Sequence, residues 1–272
     1  MTKTPATKPA LPQPAAAKAP AAQSPAPAAR LTLAAVMGLL EQLGSEQTRK
    51  TWVRHGAQGP MFGVLFGELF KLMKRIGVDH ELARALWATG NVDARNLAMK
   101  IADPLAMTSD ELDRWALEYE MGMCGLYIAS LAAEGPHGAA KVREWLSSPH
   151  ERLRGEGWTL LGRLSDLDET FSEAELRRRV AEIEQTIHAA PNVTRSKMNQ
   201  ALIAIGGHSP ALREAVLAAA KRIGPVTVDH GDTSCKTPNA VEYVAKMWER
   251  AGKKYPSPAA HQRSLGSMRR RC

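Results

Sequence analysis

The sequence predicts an all-α fold, a right-handed solenoid of stacked helix pairs, on three observations. Apolar residues recur at helical spacing, helix-start signals recur beside them, and short tryptophan-marked segments repeat at intervals of about 30 residues. A pair of short helices cannot bury its apolar face alone, so repeats of this length stack on one another into a continuous core.

Taken in order, residues 1–30 hold seven of the 17 prolines and eleven alanines, interleaved as in Pro12-Gln13-Pro14-Ala15. Proline holds the backbone extended and alanine offers little area to bury, so this segment reads as a disordered arm. Residues 31–251 read as one helical-repeat domain of roughly ten to twelve helices. Within it, Ala94, Leu97, Ala98 and Ile101 form one apolar stripe at i, i+3, i+4, i+7, and Leu153, Gly157, Leu160, Leu161 and Leu164 form another. Thr108 with Glu111 and Ser172 with Glu175 have the spacing of capping boxes, and Ser148-Pro149 places proline at a first helical position. Only Val226-Thr227-Val228 suggests a strand. Asp79-His80-Glu81-Leu82 returns as Ser109-Asp110-Glu111-Leu112, Trp87, Trp115 and Trp145 follow the same rhythm, and Ala94-Arg95 resembles Leu153-Arg154. These spacings point to HEAT-type repeats. Residues 252–272, with Pro256, Pro258 and Arg269-Arg270-Arg271, read as a disordered basic tail.

Charge is unevenly spread. Of the formal +8, the arm carries +4 and residues 253–272 carry +6, so the body is left at −2. Basic tails attract nucleic acid without specificity, but any site on the body must be a local patch. The three cysteines, Cys124, Cys235 and Cys272, are too widely spaced for a zinc motif or a disulfide framework. No apolar run is long enough for a membrane span, and residues 1–30 carry no secretory h-region. The expectation is a cytoplasmic monomer with no cofactor and no metal. No GxxxxGK[ST], HExxH or GxSxG motif is present, and the glycines at 56, 59, 63 and 67 have the spacing of a packed turn rather than of GxGxxG.

Val53-Arg54-His55-Gly56-Ala57-Gln58-Gly59-Pro60-Met61-Phe62-Gly63-Val64 leads into Phe66-Gly67-Glu68-Leu69. His80-Glu81-Leu82-Ala83-Arg84-Ala85-Leu86-Trp87 and Ala88-Thr89-Gly90-Asn91-Val92-Asp93-Ala94-Arg95 follow, with weaker matches at Arg114-Trp115, Trp145 to Leu161 and Asn199 to Gly207. Over roughly residues 45–250 the chain resembles the bacterial DNA alkylation repair family, the AlkD-like HEAT-repeat glycosylases. That resemblance implies binding of alkylated double-stranded DNA on a concave helical surface and excision of N3- and N7-alkylated purines. In such a reaction a carboxylate and aromatic faces stabilise the positive sugar. The family's tryptophan and aspartate positions fall here on Gly122-Met123-Cys124-Gly125-Leu126, with Glu118 and Glu120 as the nearest carboxylates and Tyr119 and Tyr127 as the nearest aromatics. Only its arginine is retained, as Arg154.

The candidate DNA-binding residues are therefore Arg154 and Trp158, four apart on one helix, with Arg95, Arg54, His55, Arg195 and Lys197. For Arg154 the competing role is a surface pair with Glu151. The polar loop Val228 to Pro238 offers one histidine and one cysteine, short of a zinc set, and reads as a turn closed by Thr237-Pro238 at a helix start. Two functions stand side by side: a DNA-repair protein that binds damaged duplex, with or without excision, and a non-catalytic HEAT-like scaffold for nucleic acid or protein.

Overall fold

The computed structural model describes residues 30–119, 126–165 and 170–254. The chain divides into residues 1–30 and a second unit that begins at Leu31. Apart from Arg30, the proposed arm lies outside the described residues, as does the tail beyond 254.

The second unit is helical. In order it comprises α1 (Leu33–Leu43), α2 (Glu46–Arg54), α3 (Phe66–Ile76), α4 (His80–Ala88), α5 (Val92–Ile101), α6 (Ser109–Glu118) and α7 (Leu126–Glu134). There follow α8 (Gly138–Leu146), α9 (Glu151–Ser165), α10 (Glu173–Thr186), α11 (Asn192–Ile205), α12 (Pro210–Ile223) and α13 (Ala240–Lys254). Among the described residues that is one more helix than the upper end of the expected range, and α13 runs past residue 252, where the sequence places the start of the tail. Among the described residues there is no strand, only an isolated bridge between Gly44 and Val64. Val226 to Val228 have no regular secondary structure.

The helices form two layers. Helices α3, α5, α7, α9, α11 and α13 pack each on the next, and each of α5, α7, α9, α11 and α13 also packs on the helix before it in sequence. Close approach of α9 to its neighbours in both layers depends on missing side chains. A Cβ on Gly157 would lie 2.9 Å from the Leu146 nitrogen of α8, and one on Gly162 would lie 3.3 Å from Ala201 Cα of α11.

The start signals behave largely as their chemistry dictates. Thr108 and Glu111 make a complete capping box, and Ser172 accepts from the Glu175 nitrogen. Pro149 stands in the turn before α9, which begins at Glu151. Helix α13 is capped by Asn239, which accepts from the Glu242 nitrogen, rather than by Thr237.

Candidate nucleic-acid interface

The glycine-rich turn after α2 reaches toward the helix starts of the α5–α9–α11 row. Gly56 and Gln58 from this turn, Tyr119 after α6, and the first turns of α9 and α11 line a cavity of 390 Å³. An adjoining cavity of 350 Å³ shares Gln58 and Tyr119 and extends to Arg95 and Glu118. The end of α2 lies near the loop between α12 and α13, since a Cβ on Gly231 would lie 3.9 Å from the Arg54 carbonyl oxygen.

The turn is held by a carboxylate from inside the protein. Asp93, fully buried in α5, accepts from the backbone nitrogens of Phe62 at 2.7 Å, Gly63 at 3.0 Å and Val64 at 2.9 Å. Those donors would otherwise suit a phosphate, so Asp93 closes that option and makes this a packing turn. Gly63 adopts φ 81°, and a Cβ there would fall 2.5 Å from the Ser45 carbonyl oxygen.

The expected DNA-contacting arginines share a different geometry. Arg95, Arg154 and Arg195 are each the fourth residue of their helix, α5, α9 and α11. Arg95 donates to the carbonyls of Trp87 at 3.2 Å and Glu118 at 2.6 Å, and its guanidinium lies 4.9 Å from the centre of the Trp87 ring. Arg154 donates to the Ser148 and Pro149 carbonyls at 2.9 and 3.0 Å. Arg195 donates to Ala190 at 2.8 Å, His188 at 3.2 Å and Thr227 at 2.9 Å. Each one fastens the end of the preceding helix or turn to the helix that follows. The expected partner of Arg154, Glu151, instead accepts from Thr194 Oγ1 at 3.4 Å.

The remaining candidates divide. Trp158 is only 4 % exposed and belongs to the core, so its ring is not offered to a ligand. Arg54 is exposed and bonds Thr51, while His55 caps α2 through the Thr51 carbonyl. Lys197 does line the cleft, but it is 7 % exposed and forms an ion pair with Glu156 at 2.6 Å. Glu156 is 4 % exposed, and its second oxygen, Oε2, is buried without a hydrogen-bond partner.

Glu156, Gly155 and Arg152 were not singled out from the sequence. Arg152 lines the cleft and donates to the carbonyls of Leu117 and Tyr119 at 2.8 and 2.7 Å, tying α9 to the end of α6. Gly155 makes room for the lysine, because a Cβ there would lie 3.2 Å from Lys197 Cδ. A signal existed: Glu156 and Lys197 each stand two residues after a repeat arginine, so they occupy equivalent positions in neighbouring helices.

Of the nearby carboxylates, Glu118 accepts from Trp87 Nε1 at 2.7 Å and pairs with Arg95 at 3.5 Å. Glu120 and the positions 121–125 lie outside the described residues, and so do the side chains of Leu126 and Tyr127. The polar loop is tied to α11 by Asn192, which both accepts from the Asp229 nitrogen and donates to its carbonyl. His230 Nε2 bonds Thr237 Oγ1 at 3.0 Å, and Cys235 is an exposed free thiol. Among the described residues, no group of three or more His, Cys, Asp or Glu side chains is placed to hold a metal. No helix there is long and apolar enough to cross a membrane.

A layered stack of helix pairs with a cleft across its helix starts defines a helical-repeat protein, and comparison with known proteins gives its family. The chain belongs to the DNA alkylation repair enzyme family, which it matches over residues 36–244. It is similar to the uncharacterized protein Lin0241 of Listeria innocua, 28% identical over 218 residues, covering 78% of this chain and 95% of that one. The uncharacterized protein Lmo0209 of Listeria monocytogenes is 27% identical over 217 residues, with the same coverage. A solved structure matches with a TM-score of 0.75 and 30% identity, over 86% of this chain and all of the other. It is described as a new family related to the HEAT-like repeat DNA glycosylases with affinity for branched DNA structures. The fold is thus an all-α, HEAT-like repeat.

Proposed function

We propose that this protein binds branched DNA at the face formed by the turn after α2 and the first turns of α9 and α11, without excising alkylated bases. The observation that carries the reading is the Glu156–Lys197 pair in the cleft. A glycosylase of this family needs a carboxylate free to face a developing positive charge, and the buried carboxylate in the cleft is neutralised by a lysine at 2.6 Å. Glu118 is likewise engaged, and residues 122–126 supply neither an acid nor an indole. The affinity of the similar solved structure for branched DNA supports binding as the retained property.

In this reading the basic arm and tail supply much of the phosphate attraction. The body carries −2, and the arginines of the helix starts already donate to backbone carbonyls. Tail attraction is long-ranged and indifferent to sequence, while the cleft responds to local DNA shape.

The test measures binding of the full chain to a four-way junction, a fork and a linear duplex of matched sequence, with release of 7-methylguanine assayed at enzyme excess. The expected result is at least tenfold tighter binding of the branched substrates and no released base. Equal affinity for the linear duplex, or stoichiometric base release, overturns the proposal.

A further inference from the structure

The cavity is bounded on one side by Gly56 and Gln58 and on the other by the first turns of α9 and α11. At 390 Å³ it is of the size of a single nucleotide. Its wall includes Val193, one of the few large aliphatic side chains left exposed among the described residues, at 36 %. An exposed apolar surface inside a cleft suits the flat face of a base.

The floor holds a buried donor and acceptor side by side. Lys197 Nζ carries three N–H groups and gives one to Glu156 Oε1. Glu156 Oε2 is an acceptor with no partner, and a buried carboxylate oxygen left unbonded is costly. Glu156 lines the cavity and the terminal torsion of a glutamate is soft, so Oε2 is the acceptor left for a donor entering there. Nucleobase edges set an N–H donor beside an acceptor, which matches this adjacent carboxylate and ammonium.

We propose that this cleft captures a single unpaired nucleobase, with Glu156 accepting from its N–H edge, Lys197 donating to the neighbouring acceptor, and Val193 covering its face. The inference rests on the branched-DNA reading and names what the protein engages there: the unpaired base at the branch point.

The experiment places one unpaired 2-aminopurine at the branch of a three-way junction and a fluorophore at a distant end, so that capture and overall binding are read separately. Two variants are compared, Glu156→Gln in the floor and Val193→Glu on the exposed wall, where folding is not at stake. The expected result is a change in 2-aminopurine emission on binding. Both variants are expected to lose at least tenfold more affinity for this junction than for a fully paired one. A bound junction whose 2-aminopurine signal matches the fully paired control overturns base capture and leaves branched-DNA binding intact. Should no branched DNA bind, the broader reading fails, and deoxyadenosine monophosphate titrated into the protein by NMR decides the cleft. Shifts that Val193→Glu abolishes uphold base capture, and their absence overturns it.

Discussion

Trp87 and Trp115 lie face to face, ring centres 4.1 Å apart and planes within 1° of parallel. They belong to successive repeats, and the stack converts the tryptophan rhythm of the sequence into a physical joint between α4 and α6. Trp145 extends the pattern differently: its indole N–H donates to Asp113 of α6 at 2.6 Å, and Lys141 donates to the same carboxylate at 2.7 Å.

Arg154 is expected to act on stability first. Its hydrogen bonds go to the turn before α9, so Arg154→Ala should lower unfolding free energy by about 1–2 kcal/mol, the worth of charge-assisted bonds at a partly exposed site. Arg154→Lys should recover only part of this, because an ammonium lacks the planar fork. Urea unfolding beside junction binding checks it; lost affinity at unchanged stability would return Arg154 to the DNA.

The Glu156–Lys197 pair calls for a double-mutant cycle. Lys197→Met leaves a buried carboxylate unpaired and is expected to cost about 3–5 kcal/mol. Adding Glu156→Leu should restore most of that loss, since an apolar pair of similar size replaces buried ions at little net cost. Denaturant unfolding of the four proteins gives the coupling directly.

Asp93→Ala should destabilise the turn by about 3 kcal/mol, because three backbone donors, two of them buried, lose their acceptor together. Gly63→Ala should be comparably severe, given its φ of 81° and the 2.5 Å approach to the Ser45 carbonyl. Hydrogen exchange at Phe62 to Val64 would report the loss site by site.

His80 predicts a pH dependence. Both its ring nitrogens are buried without partners. Burial chiefly, with the nearby Arg84 charge, holds its pKa below the ordinary 6.5, against the opposing pull of Glu111 and Asp103. The unfolded chain therefore binds a proton that the folded chain resists. The contribution of His80 is intact above about pH 6.5 and is lost as pH falls from there toward the depressed folded value. His80→Gln should flatten the stability profile in that window, as thermal melts across it would show.

Replacing Arg269, Arg270 and Arg271 together by glutamine should reduce the slope of log affinity against log salt by about 2–3, near one unit for each phosphate no longer neutralised. The ratio of branched to linear affinity should stay constant. A changed ratio would mean that the tail reads DNA shape itself.

The helices were legible in the sequence because periodicity and capping are local. Thr108 and Glu111 announce α6 within four residues. The site was not, because its partners are brought together by stacking: Glu156 and Lys197 are 41 residues apart. Arg95, Arg154 and Arg195, expected at phosphates, bond main-chain carbonyls, which carry no signature in side-chain identity. Trp158, four residues after Arg154, followed the apolar stripe into the core.

An anchor on main-chain carbonyls also shapes how such a protein diverges. Arg154 bonds the peptide oxygens of Ser148 and Pro149, and any residue at those positions presents the same oxygen. Turns between helices are therefore free to drift in side chain while the arginine at the fourth helix position is not, and no compensating change on the other side replaces it. Correlated substitution would be silent at these joints, leaving the fourth-position arginines of α5, α9 and α11 as their written trace.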